Sequence, residues 1–222
     1  MKDLDLARSM VEKGDYDLIE MCYGNIPNVL SELIRTAFIA PEGKMFAVAD
    51  FSAIEARVLS WLAQEKWRLD VFNTHGKIYE ASASLMFGVP IEQVTKGSDL
   101  RQRGKTAELA LGYEGSVNAM EKMDKEKKLS KKEMYSIVAL WRRANPKIVE
   151  FWAEVNEKAI ECVQTRKTKK VSCLVFEHDG TNLTIALPAG RKLYYRNPRV
   201  RPNRFGQTGI VYDLSLIHIS EP

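Results

Sequence analysis

The chain has 222 residues, enough for one large domain or two small ones, and its 45% hydrophobic content supports a sizeable core. A formal charge of +4 permits a polyanionic partner without requiring one. Cys22, Cys162 and Cys173 are too widely spaced for a disulfide framework or a zinc pattern, and no apolar run approaches the roughly 20 residues of a membrane span. No signal peptide is read at the start, so a reduced, cytoplasmic setting is the default expectation.

Residues 3–13 carry Leu4, Ala7, Met10 and Val11 at helical spacing, closed by Gly14. Further helices are predicted over Asp17–Tyr23 and Asn28–Phe38, followed by a turn at Pro41-Glu42-Gly43. The apolar run Met45–Ala49 reads as a short buried strand with Asp50 at its end. A helix starts near Ser52, with Ile54, Val58, Trp61 and Leu62 as its apolar stripe. Tyr79–Phe87 is the next helix, closed by Gly88 and Pro90. A long helical segment runs over Asp99–Met123, with breaks open at Gly112 or Gly115. Lys131–Arg143 and Ile148–Thr165 follow, separated by Asn145-Pro146. Val171–Glu177 and Asn182–Leu187 alternate around Asp179-Gly180, the signal of a β-hairpin. The tryptophans, Trp61 and Trp152 among them, are expected in the core. The pattern is α+β and mostly helical, without the repeating strand–helix–strand unit of a doubly wound sheet.

Two constellations carry chemistry. An aspartate fixed at a strand end, such as Asp50, can supply a carboxylate oxygen to magnesium, but it can equally be a turn or capping residue. Glu55 lies in the first turn of the following helix, where an acid also complements the helix dipole. Arg101, Lys105, Leu109 and Tyr113 recur every four residues and share one helix face. Arginine can grip a terminal phosphate bidentately, lysine supplies a compact charge, and tyrosine offers a flat surface to a base. The alternative for a bare Arg-x-x-x-Lys is a solvated basic face. Residues 188–209 hold six Lys or Arg and no acid, interleaved with Tyr194, Tyr195 and Phe205. Cations mixed with aromatics suit a nucleic-acid strand, and the other reading is a soluble loop.

Taken together these segments resemble family A DNA polymerases. Ala49-Asp50-Phe51-Ser52-Ala53-Ile54-Glu55-Ala56-Arg57 is similar to the first signature of that family, and Arg101–Tyr113 to the second. Ile34–Pro41 resembles the approach to the first, and Tyr79–Pro90 the connecting helix. The order and separations agree, and the resemblance is nearest to phage-type members. It implies a palm fragment with helical fingers: residues 1–74 as partial palm with N-terminal helices, 75–213 as fingers and a connecting hairpin. Residues 214–222 resemble a translated sequencing adaptor and are expected to be foreign to the fold, making the chain an assembly fragment.

The resemblance also implies roles. Asp50 would hold two Mg²⁺ ions with help from the Phe51 backbone carbonyl. Glu55 would exclude a 2′-hydroxyl. Arg101 and Lys105 would bind the triphosphate, with Lys105 a candidate proton donor, and Tyr79 would contact phosphate. Leu109 would meet the incoming sugar and Tyr113 would stack near the templating base. Arg191, Lys192, Arg196, Arg199, Arg201 and Arg204 are the candidate DNA contacts. The expected partners are primer-template DNA and deoxynucleoside triphosphates, with no membrane, for a monomer.

Three departures stand out. Leu109 replaces the aromatic residue usual at its position, Glu114 replaces a glycine, and Lys77 stands where an aspartate is common. The second metal-binding aspartate is not found. His178-Asp179-Gly180 resembles its signature faintly, but falls too early, and Asp-Gly suffices as a hairpin turn. The chain alone is therefore expected to be inactive. A non-catalytic DNA-binding module and a metal-dependent nuclease using Asp50 and Glu55 are the alternatives.

Overall fold

The computed structural model describes residues 3–124, 129–202, 206 and 208–214. Contacts divide the chain into two compact units, Met1–Phe51 and Ser52–Pro222. In the first unit, α1 (Leu4–Lys13), α2 (Tyr16–Tyr23) and α3 (Ile26–Ile34) bury Ala7, Met10, Ile19, Val29 and Leu33 together. Asp3 caps α1 by accepting from the Leu6 amide at 3.0 Å, and Gly14 ends it in the left-handed conformation. A single 3₁₀ turn, Arg35–Ala37, follows α3.

The expected strand at Met45–Ala49 is not formed. These residues are unpaired and exposed, Met45 by 90% and Val48 by 93%. An apolar run becomes a buried strand only beside a partner that accepts its hydrogen bonds, and among the described residues none lies beside this one. Asp50, expected at the strand's end, is exposed in the same stretch.

The second unit opens with helices α4 (Ile54–Ala63), α5 (Lys66–Asn73), α6 (Ile78–Phe87), α7 (Asp99–Leu111), α8 (Val117–Met123), α9 (Lys131–Ala144) and α10 (Pro146–Thr165). Ser130 and Glu133 start α9 with a reciprocal capping box. Five strands follow, β1 (Lys169–Val171), β2 (Leu174–His178), β3 (Asn182–Ala186), β4 (Lys192–Pro202) and β5 (Thr208–Asp213), each pairing antiparallel with the next. The hairpin expected at Asp179-Gly180 is β2–β3. The segment read as one strand from Val171 is instead split by a two-residue turn, in which Ser172 takes a φ of 51°. Helix α10, about 30 Å long by its length in residues, joins two cores. Its Ile148 belongs to the helical core around Trp141, and its Ala159 and Cys162 pack on Phe176 and Leu183 of the sheet.

The helical core is built around charge. Arg68 on α5 and Glu108 on α7 form a bidentate ion pair, with side chains 1% and 2% exposed. Arg68 also donates to Ser60 Oγ on α4 (2.7 Å) and to Asn145 Oδ1 at the α9–α10 corner (3.0 Å). Glu108 accepts further bonds from Ser82 Oγ on α6 and Trp141 Nε1 on α9, both at 2.8 Å. Nearby, buried Glu65 accepts from the Lys147 amide at 2.8 Å and so satisfies the N-terminus of α10. No buried side-chain polar atom among the described residues lacks a partner.

This network explains where the expected α4 stripe fails. Ser60 and Ala63 face the core and Leu62 of the expected stripe packs against the sheet core, while Ile54, Val58 and Trp61 are 45–48% exposed. A guanidinium in the core demands the Ser60 hydroxyl, and that rotates the rest of the apolar stripe outward. Trp141, fully buried and stacked on Trp152 at 5.8 Å, takes the central place.

Removing one partner of a buried pair leaves the other charge uncompensated. Glu108→Ala should therefore lower stability by about 3–5 kcal/mol. The measurement is a urea denaturation midpoint; a loss below about 1 kcal/mol, the range of an exposed pair, would contradict the network's role.

Candidate nucleotide-binding helix and basic sheet

On helix α7, Gly104, Ala107, Glu108 and Leu111 are buried, Arg101 and Lys105 are half-buried beside them, and Leu109 and, just past the helix end, Tyr113 are 37% and 69% exposed. Ser98 caps the helix through the Arg101 amide, placing Arg101 in the first turn. Gly104 lets α6 approach: a Cβ there would lie 2.4 Å from the Tyr79 carbonyl oxygen and 3.0 Å from the Ala83 Cβ. The close approach puts Tyr79 and Glu80 of α6 against Arg101. Arg101 Nε donates to Glu80 Oε1 at 2.6 Å, and its guanidinium lies 5.7 Å from the Tyr79 ring centre. Partial burial raises the Tyr79 hydroxyl above its ordinary pKa, helped by the Glu108 charge behind it.

Lys105 is half-buried and, among the described residues, has no hydrogen-bond or ion-pair partner. Its neighbour Arg103 points elsewhere and pairs with Asp99 and Glu133. Beyond the end of α7, the nearby Glu55 carboxylate raises the pKa of the Tyr113 hydroxyl. Contacts thus join Tyr79 and Glu80 to Arg101.

Asp50 and Phe51 belong to the first unit and are exposed. Among the described residues no three His, Cys, Asp or Glu side chains converge as metal ligands. The Asp50 carboxylate and Phe51 carbonyl are hard oxygens that suit magnesium in kind, and are too few to hold a pair of ions.

After α7 the chain turns sharply. Glu114, the departure noted in the sequence, adopts a φ of 59°, the left-handed conformation that favours glycine. At Gly115 a Cβ would fall 1.9 Å from the Ala110 carbonyl oxygen.

The basic segment, read from sequence as a loop or a DNA contact, is strand β4 and its flanks. Lys192 pairs with Glu177 at 2.7 Å, and Arg199 with Asp213 at 2.6 Å. Exposed Arg191, Arg196 and Arg201 make no ion pair among the described residues, and Arg204 lies outside them. Register puts Glu177, Thr184 and Tyr194 in one row across the sheet. Tyr194 is 65% exposed, whereas Tyr195 points to the other side and packs edge-on against Tyr212 at 4.9 Å. Asp179 accepts from the Thr181 and Asn182 amides and the Asn182 side chain, which hold its carboxyl down to about 2. It serves the hairpin turn, as expected.

Sequence reading missed Arg68, Glu80, Gly104 and Glu108. Two left a signal. Glu108 stands alone in the apolar run Ala107–Leu111, and Gly104 sits mid-helix, where glycine is costly unless another backbone comes close.

A chain with these two signatures, spaced across a cation-bearing helix, belongs to DNA polymerase family A, whose sequence profile it matches over residues 23–182. The DNA polymerase of Bacillus phage SP02 is 51% identical over 216 residues, 96% of this chain and 33% of that protein. The thermostable DNA polymerase I of Thermus aquaticus is 33% identical over 126 residues, 56% of this chain and 14% of that protein. DNA polymerase I of Pseudomonas aeruginosa is 38% identical over 91 residues, 40% of the chain and 10% of that protein. The chain thus spans a third or less of these relatives. No described helix is long and apolar enough to cross a membrane.

Alanine for glycine inside a helix ordinarily adds about 1 kcal/mol of stability. At Gly104 the sign should reverse, with a loss of about 1–3 kcal/mol from overpacking. Glu114→Gly should instead gain up to about 1 kcal/mol by relieving the left-handed backbone. Thermal melts of the two variants check both signs. A stabilised Gly104→Ala protein would mean that α6 and α7 are not held at this distance.

Proposed function

We propose that this chain is the nucleotide-handling part of a DNA-directed DNA polymerase, adding deoxynucleotides to a primer 3′-hydroxyl on a template. In this reading residues 1–74 supply part of the palm and residues 75–213 the fingers and connecting hairpin. The observation that carries the proposal is Lys105, a half-buried cation left without a protein carboxylate beside Arg101 on one face of α7. Desolvating a cation without a partner is unfavourable, so such a group suits an anionic ligand.

Arg101 keeps its terminal nitrogens for a bidentate grip on phosphate, since Glu80 engages only Nε. Lys105, one turn on, would set its charge nearer the reacting phosphorus and would give a proton to departing pyrophosphate. Glu55 would stand on the sugar side against a 2′-hydroxyl, and Tyr113 would keep a ring face for the templating base. Asp50 and the Phe51 carbonyl would contribute to holding two Mg²⁺ ions. Bound there, the ions would neutralise phosphate charge and activate the attacking hydroxyl. Because the described donors are too few for both ions, the chain alone is expected to bind nucleotide and not to extend primers.

A lost charge-assisted bond to phosphate is worth about 1.5–3 kcal/mol, or roughly 10- to 150-fold. The test splices this chain into the matching third of the phage SP02 enzyme. Arg101→Ala should raise KM for deoxynucleotides by that factor, and Lys105→Ala should mainly lower kcat. Unchanged kinetics in both would overturn the assignment. In the same chimera Leu109→Phe should speed single-turnover incorporation, because a flat ring covers more of the sugar than a branched chain. An unchanged rate would mean that Leu109 does not meet the sugar.

A second reading, a DNA-binding module, is favoured by exposed Arg191, Arg196 and Arg201 along and beside β4, the strand that also exposes Tyr194. Binding of single-stranded oligonucleotide by the chain itself should weaken steeply with salt, as phosphate contacts release counterions. Tyr194→Ala should weaken it by about 1–3 kcal/mol and Phe should restore it. Salt-independent binding would exclude this surface as the contact.

A further inference from the structure

We propose that Glu80 is a positioning residue for Arg101: it holds the guanidinium by its Nε edge, so that the two terminal nitrogens are presented to a phosphate. The proposal rests on the reading of α7 as a triphosphate-binding helix. It adds a residue for which neither the sequence signatures nor the chemistry of phosphate binding had provided a role.

The observations are geometric. The Arg101–Glu80 contact is 2.6 Å, with side chains 25% and 15% exposed, so it is shielded well beyond an ordinary surface pair. It is made through Nε, whereas the buried Arg68 offers both terminal nitrogens to its carboxylate. A guanidinium held side-on by Nε keeps its end-on fork free. The Tyr79 ring, 5.7 Å away, is a second point of contact. Both contacts come from the first turn of α6, and α6 is clamped to α7 by the close approach at Gly104.

The charge state is consistent. Burial alone would raise the Glu80 carboxyl, but the Arg101 hydrogen bond and a backbone hydrogen bond outweigh it and hold the group below the usual carboxylate range. Glu80 is therefore an anion at neutral pH. A carboxylate on the fork would compete with phosphate for Arg101. On the Nε edge it orients the arginine instead and reduces the rotamer freedom that binding would otherwise remove. Lys105 has no such brace, and its flexible stem needs none to act as a point charge.

The test uses the 222-residue chain, with tripolyphosphate and dATP as probes. By ¹H–¹⁵N spectroscopy, the Arg101 Nε–H should give a protected resonance in the wild type. It should persist in Glu80→Gln, which keeps an acceptor oxygen, and disappear in Glu80→Ala. Tripolyphosphate should shift Lys105 and the Arg101 terminal nitrogens while leaving Nε–H protected. The dATP Kd should rise about 3- to 10-fold in Glu80→Ala and return close to wild type in Glu80→Gln, the span of one hydrogen bond.

Tighter dATP binding in Glu80→Ala, or loss of Nε–H protection on adding tripolyphosphate, would show that Glu80 competes with phosphate and would overturn the proposal. So would an Arg101→Ala variant that loses affinity while Glu80→Ala does not. If neither probe perturbs α7, or Arg101→Ala leaves dATP affinity unchanged, the triphosphate reading of the helix fails and this proposal falls with it.

Discussion

The buried ion pair between Arg68 and Glu108 is the constraint on which the helical part of the second unit depends. A desolvated charge is tolerated only when its partner and every remaining hydrogen-bonding position are supplied. Ser60, Ser82, Trp141 and Asn145 supply them, one each from α4, α6, α9 and the α9–α10 corner. The demand for partners therefore fixes the rotation of each helix about its own axis. Apolar packing of Met86, Leu111 and Ile137 could tolerate small rotations, whereas hydrogen bonds to one carboxylate cannot.

The consequence for function follows from the geometry of α7. Glu108 lies about two turns after Arg101 and three residues after Lys105, so fixing Glu108 fixes the rotation of the helix and with it the setting of Arg101, Lys105 and Leu109. Gly104 sets the distance to α6, and α6 then brings Tyr79 and Glu80 to Arg101. The departures from the family pattern fall where the scaffold absorbs them. Glu114 adopts a glycine-like backbone, and Leu109 takes an exposed place on the helix.

How much of this was legible in the sequence depended on whether the information was local. Helix ends announced by Gly14 and Asn145-Pro146 were readable because terminating chemistry involves residues within a turn of each other. The Asp179-Gly180 turn was readable for the same reason. The polymerase signatures were legible as residue patterns, and the family comparison agrees with them. Helix α5 was not read, because Lys66–Asn73 has no clean apolar face: its buried residue is an arginine. Strand β4 was hidden because Lys192–Pro202 has no clean apolar–polar alternation and is largely exposed. Met45–Ala49 misled in the other direction, since its composition suits a strand but its burial depends on a partner. Charge partners 40 residues apart, such as Arg68 and Glu108, leave no periodic trace.

Native-state hydrogen exchange, compared between the wild type and Glu108→Gln, tests the role of the buried pair most directly. The substitution keeps the side chain's shape and removes its charge. If the network unites the helices, protected amides of α4, α5, α6, α7 and α9 should lose protection together, as one cooperative unit, while those of β2 and β3 keep theirs. Loss confined to the α7 turn around residue 108, or no loss at all, would contradict it.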